Sequence, residues 1–153
     1  MGTLYAGIEA GGTKFNLVIG SGPDDLRAEA RIATRKPGET LADVTAFLDH
    51  WIANGGEPLA AIGIAAFGPV DLKPSSPTWG CITDTPKPFW QNTDVAGFLR
   101  RRYRLPVGFD TDVNGAGLGE LRWGAGAACD VFNYLTVGTG IGGGLFVHGE
   151  PVH

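Results

Sequence analysis

The sequence predicts an α/β domain built on a mixed sheet, and three observations predict it. Residues 4–32 hold three strand-like runs joined by short turns rich in glycine and aspartate. From Thr40 onward, runs of helical period alternate with runs of strand length. A hydrophobic content of 43% against 18% charged residues, over 153 residues, supplies enough apolar material for a globular core. Three antiparallel strands followed by alternating helices and strands belong to the α/β class with strands of both senses.

Leu4 to Ala10 is small and apolar, Gly11-Gly12-Thr13 interrupts it, and Lys14 to Ile19 is a second strand, so the pair reads as a hairpin with a glycine tip. Leu26 to Ile32 alternates apolar and charged residues, as a strand wet on one face does. Leu41, Val44, Phe47, Leu48, Trp51 and Ile52 then share one helical face, Thr40 with Asp43 resembles a capping box, and Asn54-Gly55-Gly56 ends the helix. Ala60 to Phe67 is an unbroken apolar run, expected where both faces of a sheet are covered. Val70 to Pro88, with its prolines, reads as loop or short hairpin, and Trp79, Phe89 and Trp90 need somewhere to pack. Asn92-Thr93-Asp94 caps a helix through Arg104 that turns Val95, Phe98, Leu99 and Tyr103 inward. Val107 to Phe109 is a short strand, Asp112 to Trp123 a third helix, Phe132 to Val137 a strand, Gly138 to Gly144 a turn, and Gly144 to Val147 a return strand.

Composition narrows the function. Twelve basic against sixteen acidic residues give a net charge of −4, the wrong sign for a nucleic-acid binder. No run approaches the ~20 apolar residues of a membrane-spanning helix, and the N-terminus lacks a leader pattern, so a cytoplasmic protein is expected. Cys81 and Cys129 are too few for a disulfide framework and read as free thiols. Arg100, Arg101, Arg102 and Arg104 close a helix, where the macrodipole favours positive charge, so they read as a solvated face.

Three segments carry chemistry. Glu9-Ala10-Gly11-Gly12-Thr13-Lys14 lets backbone approach a ligand and supplies a hydroxyl and an ammonium; the same glycines also suit an ordinary hairpin turn. Thr136 to Gly144 contains Gly138-Thr139-Gly140 but no following helix, which excludes a dinucleotide fingerprint, and its glycines exceed what chain reversal requires. Asp110 to Glu120 opens at a strand end, where carboxylates face the ligand crevice of an open sheet. There Asp112 is either a base for a substrate hydroxyl or a cap for its helix.

Together the three segments resemble the ROK sugar kinases along nearly the whole chain. In that family an Asp-x-Gly-Gly-Thr-Lys turn and a Gly-Thr-Gly-x-Gly-Gly turn form the phosphate segments of an actin-like ATPase site, a fold related to ribonuclease H. An Asn-Asp-x-Asn segment carries the base. Here Glu9 replaces the usual Asp and Thr111 the usual Asn. With Gly68-Pro69-Val70-Asp71, Ser76-Pro77 and Thr85-Pro86-Lys87-Pro88-Phe89-Trp90, these departures resemble the bacterial fructokinase branch.

The resemblance implies ATP-dependent phosphorylation of a hexose, fructose before glucose, with ATP and Mg²⁺ and with Asp112 taking the proton of the sugar hydroxyl. It implies nucleotide contacts from Gly11, Gly12, Thr13, Lys14, Thr139 and Gly140, sugar contacts from Gly68, Lys87, Trp90, Thr111 and Asp112, and Glu9 acting on the metal through water. It also implies an N-terminal lobe over residues 1–119, then a connecting helix and the first hairpin of a second lobe over 120–153. The family's structural zinc ligands and its Glu-x-Gly-His segment do not occur in this sequence. The alternative expectation is a catalytically incomplete piece that binds sugar weakly and associates with itself or with a complementary lobe. The family's repressors carry a helix-turn-helix ahead of the kinase-like part, whereas this chain opens on a strand, so an enzyme is expected.

Overall fold

A computed structural model describes residues 2–138 and 140–153. The chain runs β1 (Leu4–Ala10), β2 (Lys14–Gly22), β3 (Asp25–Ala33), α1 (Pro37–Ala53), β4 (Leu59–Ala66), β5 (Cys81–Ile82), β6 (Thr93–Asp94), α2 (Ala96–Tyr103), β7 (Val107–Thr111), α3 (Asp112–Trp123), β8 (Val131–Val137), β9 (Ile141–Val147) and β10 (Glu150–Pro151). Five strands form one sheet in the order β3-β2-β1-β4-β7. The first three meander antiparallel, whereas β1, β4 and β7 lie parallel. The mixed α/β sheet expected from the period-two opening and the later alternation is therefore present.

Strand alternation decides what each face of that sheet buries. Leu4, Ala6, Ile8 and Ala10 on β1, Phe15, Leu17 and Ile19 on β2, and Ile62, Ile64 and Ala66 on β4 point into a core shared with Leu41, Val44 and Leu48 of α1 and Leu99 of α2. The other face carries α3, whose Gly115 lies so close to Ala65 that a Cβ there would collide with it. Gly7, Gly63 and Gly108 are in register across β1, β4 and β7. They floor a groove of about 560 Å³ on that face, bordered by Tyr5, Val18, Ala61 and Trp123.

A second, three-stranded sheet, β10-β9-β8, packs on α3. Phe132, Tyr134 and Phe146 turn toward the helix, and Phe146 is fully buried against Gly117. The opposite face holds Val131, Leu135, Val137, Ile141 and Leu145, all exposed.

Three local expectations change. The first helix begins at Pro37, not Thr40, because proline's fixed φ suits the first helical position. Thr40 is buried in the first turn, where its hydroxyl accepts the Arg35 amide at 2.9 Å, and Asp43 pairs with the Arg35 guanidinium, so no capping box forms. Ile52 is 53% exposed at the helix end and does not join the core face. The proline-rich segment is loop with short antiparallel pairing, as expected: Val70 bridges to Ile82 of β5, and β5 pairs with β6. The last-turn arginines are held at the surface: Arg100 over Trp79, Arg101 on Asp94 and Arg102 on Asp49.

Candidate active site

The parallel strands bring their carboxyl ends to one edge, because Ala10, Ala66 and Thr111 are paired in register. Each is followed at once by a sequence-predicted segment: the turn 11–14, the Gly68-Pro69 bend, and Asp112. The carboxyl edge of parallel strands is where open α/β sheets take ligands. One residue back in the same register, Glu9, Ala65 and Asp110 form a row on the α3 side.

The first turn is stitched from within and from behind. The Gly11 amide donates to the Lys14 carbonyl at 3.0 Å, and a Cβ on Gly11 would lie 2.7 Å from that oxygen, so the turn requires glycine there. Thr34 holds the turn to the end of β3, its hydroxyl donating to the Gly11 carbonyl at 2.7 Å and its amide to that of Thr13 at 3.0 Å. The Gly11 amide is thereby spent inside the turn, which corrects the expectation that all three of its amides face a phosphate. Among the described residues, the amides of Gly12 and Thr13 have no partner, and a Cβ on Gly12 would meet open space.

Asp112 is the first residue of α3, and the cap is Thr111, whose hydroxyl accepts the Asn114 amide at 3.1 Å. The capping alternative for Asp112 is thus taken by its neighbour. The Asp112 carboxylate accepts the amide of its neighbour Val113 at 2.9 Å. Withdrawal of water by the surrounding protein pushes its pKa above the ordinary carboxylate value, and the charge of Glu9 adds to the rise, against backbone hydrogen bonds that lower it. Glu9 is exposed and accepts the Asn16 side-chain amide. The Glu9 charge therefore reaches Asp112 across the strand ends.

The second glycine turn reaches the same helix start. A Cβ on Gly142 would lie 3.7 Å from that of Val113, and one on Gly144 would collide with Asn114 Oδ1. At the tip, the Gly138 amide donates to the Gly140 carbonyl at 2.9 Å, and a Cβ on Gly140 would meet open space. Thr139 lies outside the described residues.

The loop around Trp90 departs from expectation. Trp90 is fully buried between Phe15 and Phe67, with its indole N–H donating to the Arg35 carbonyl at 2.8 Å. An indole with no exposed surface offers nothing to a sugar, so Trp90 belongs to the core and leaves the sugar-facing set. Phe89, expected with Trp90 to pack inside, is instead the outward aromatic of the pair: it is 66% exposed, has φ 72°, and lies under the Lys36 ammonium. Lys87 is half-buried, and its amide is tied to the Thr85 hydroxyl at 3.3 Å. Sequence reasoning also passed over Asp110 and Asn114, whose i, i+4 spacing at a strand end was visible but whose partners were not.

The oxygen-rich edge fits a hard cation, since Mg²⁺ keeps much of its water and needs only one or two carboxylates from the protein. Among the described residues, no group of three or more His, Cys, Asp and Glu side chains converges as a structural zinc site would require. Among the described residues, no helix is long and apolar enough to cross a membrane.

Comparison with known proteins agrees with this geometry. A sequence profile of the ROK family matches residues 5–153. The fructokinase of Zymomonas mobilis is 45% identical over 150 residues, which are 98% of this chain and 50% of that protein. A putative fructokinase of Bacillus subtilis is 40% identical over 147 residues, 96% of this chain and 47% of the relative. Among solved structures, a ROK family glucokinase from Streptomyces griseus in complex with glucose and AMPPNP superposes with a TM-score of 0.79 at 27% identity, covering 97% of this chain and 46% of that one. A ROK hexokinase from Thermus thermophilus gives 0.81 at 27% identity, covering 98% and 49%. The chain thus spans about half the length of the relatives it matches. Its mixed sheet is that of the actin-like ATPase fold, and the chain belongs to the ROK family.

Proposed function

We propose that this chain is the N-terminal lobe, over residues 1–119, and the opening hairpin of the second lobe, over 120–153, of an ATP-dependent hexokinase whose sugar is fructose. The reading is supported by one placement: Asp112 opens α3 at the strand edge that the turn 11–14 also follows, and its neighbour Val113 packs against Gly142 of the second glycine segment. Phosphoryl transfer asks a protein mainly for in-line positioning and for donors to the phosphate oxygens. Asp112 accepts the proton of the sugar hydroxyl as that oxygen attacks the γ-phosphorus. The amides of Gly12 and Thr13, the Lys14 ammonium and the 138–142 turn, with Thr139 and Gly140, receive the phosphates. Gly68, Thr111 and Lys87 line the sugar side. Glu9 would hold Mg²⁺ through water; the ion would neutralise phosphate charge. Fructose is preferred to glucose on the names of the relatives and on the Thr85 to Trp90 segment.

The exposed apolar face of Val131, Leu135, Val137, Ile141 and Leu145 supports a second reading, in which the chain is inactive alone and associates with itself or a complementary lobe. ADP release with fructose, measured with and without the unmatched half of the Zymomonas mobilis fructokinase, separates the two. Turnover of fructose in either mixture supports the kinase; nucleotide-independent association with no turnover supports the alternative.

A further inference from the structure

Asp110 and Asn114 stand either side of Asp112 and belong to a network that the proton transfer itself does not use. Asp110 is the penultimate residue of β7, with its side chain 16% exposed. Its Oδ1 accepts the Thr111 amide at 2.7 Å and the Asn114 side-chain N–H at 2.8 Å, and its Oδ2 lies 2.8 Å from His153 Nε2. Asn114 is buried at 6% exposure, and its Oδ1 faces β9 at Gly144, where no side chain fits. Val113 fits against Gly142 on the same strand, and Phe146 fills the notch at Gly117. The first turn of α3 is thus tied to β7 on one side and keyed into the strand leaving the second glycine turn on the other.

We propose that Asp110 and Asn114 are positioning residues that set the separation between the Asp112 base and the glycine segment 140–144. The proposal rests on the phosphoryl-transfer reading, under which that separation is the distance between the base and the phosphate-holding backbone. A buried amide has few alternative partners, so disturbing one end of the pair displaces the other. In-line transfer is sensitive to this, because a misplacement of about 1 Å costs on the order of 100-fold in rate.

The test uses Asn114→Asp, which sets a second carboxylate against Asp110, the milder Asp110→Asn, and the two together, which restore a donor–acceptor pair of reversed sense. Amide hydrogen exchange is followed across 111–117 and 140–146 in this chain, and kcat and KM for fructose are measured after complementation with the unmatched half of the Zymomonas mobilis fructokinase. Asn114→Asp should speed exchange in those two segments while β1 to β4 keep their protection. It should also lower kcat on the order of 100-fold with KM changed less than about threefold, and the reversed pair should recover both. The proposal is overturned if neither single variant alters exchange at 140–146, or if protection falls evenly across the chain and the reversed pair restores nothing. Should no mixture phosphorylate fructose, the functional reading fails, while the exchange pattern still decides whether the pair braces the turn. Should Asn114→Asp not fold, Asp110→Asn and the reversed pair decide it.

Discussion

The central sheet and the β8–β9 hairpin treat their two faces in opposite ways. On β1 the side chains facing α1 are apolar and buried, while the other face holds Tyr5, Gly7 and Glu9, with glycine at its centre. On the hairpin one face packs on α3 through Phe132, Tyr134 and Phe146, and the other presents Val131, Leu135, Val137, Ile141 and Leu145 to solvent, with Val137 and Ile141 80% and 81% exposed. A strand wet on one face ordinarily alternates apolar with polar residues. The hairpin's outer pattern is instead that of a strand covered on both sides. The difference separates a part that has completed its own core from a part whose sequence is patterned for more protein than this chain provides, in keeping with relatives about twice as long.

Perturbations graded by size sharpen that contrast. The largest effect falls at the seam between the two regions, where Asp112→Asn should lower kcat for fructose phosphorylation by about 10²–10⁴-fold in the complemented enzyme, read by steady-state kinetics. In the proposed role Asp112 works ionised, and its pKa is raised by loss of water and by Glu9. Activity should therefore fail on acidification at a higher pH than an ordinary carboxylate would set, and Glu9→Gln should move that limb to lower pH. Within the completed core, Trp90→Ala should cost about 3–5 kcal/mol in denaturant unfolding. At the keyed junction, Gly144→Ala forces a methyl against Asn114 and should cost about 1–3 kcal/mol, with the loosening seen by hydrogen exchange in the hairpin before the sheet. On the outer face, Val137→Ser with Ile141→Ser should change stability by no more than about 0.5 kcal/mol while reducing self-association in sedimentation. A large loss of stability there would break the comparison, since it would mean the face is already covered.

Legibility followed the reach of each interaction. The strand and helix order was readable because period-two and period-3.6 patterning is local: α3 begins and ends at the predicted Asp112 and Trp123. The first helix starts three residues before the expected Thr40: the capping-box spacing is a local pattern, whereas Pro37 suits a first helical turn and the buried Thr40 hydroxyl is taken by the Arg35 amide. Trp90 was misread for a longer-range reason. Nothing near it in sequence indicates that Phe15 and Phe67, from two different strands, close around its ring while Phe89 turns outward. Asp110 and Asn114 were visible as a motif, but their pairing depends on a hairpin whose glycines act as sockets, and sockets are defined by the residues that fill them.

The burial of Trp90 gives the protein an intrinsic fluorophore at a useful place. Its ring touches Phe15, directly after the first glycine turn, and its N–H is held by Arg35, next to the Thr34 that fastens Gly11. Trp123, by contrast, is 62% exposed and emits from water. Under the proposed function, nucleotide at the first turn should disturb this shielded indole through one aromatic contact and a single stitched residue, so adding nucleotide should shift the blue edge of the emission spectrum without any attached dye.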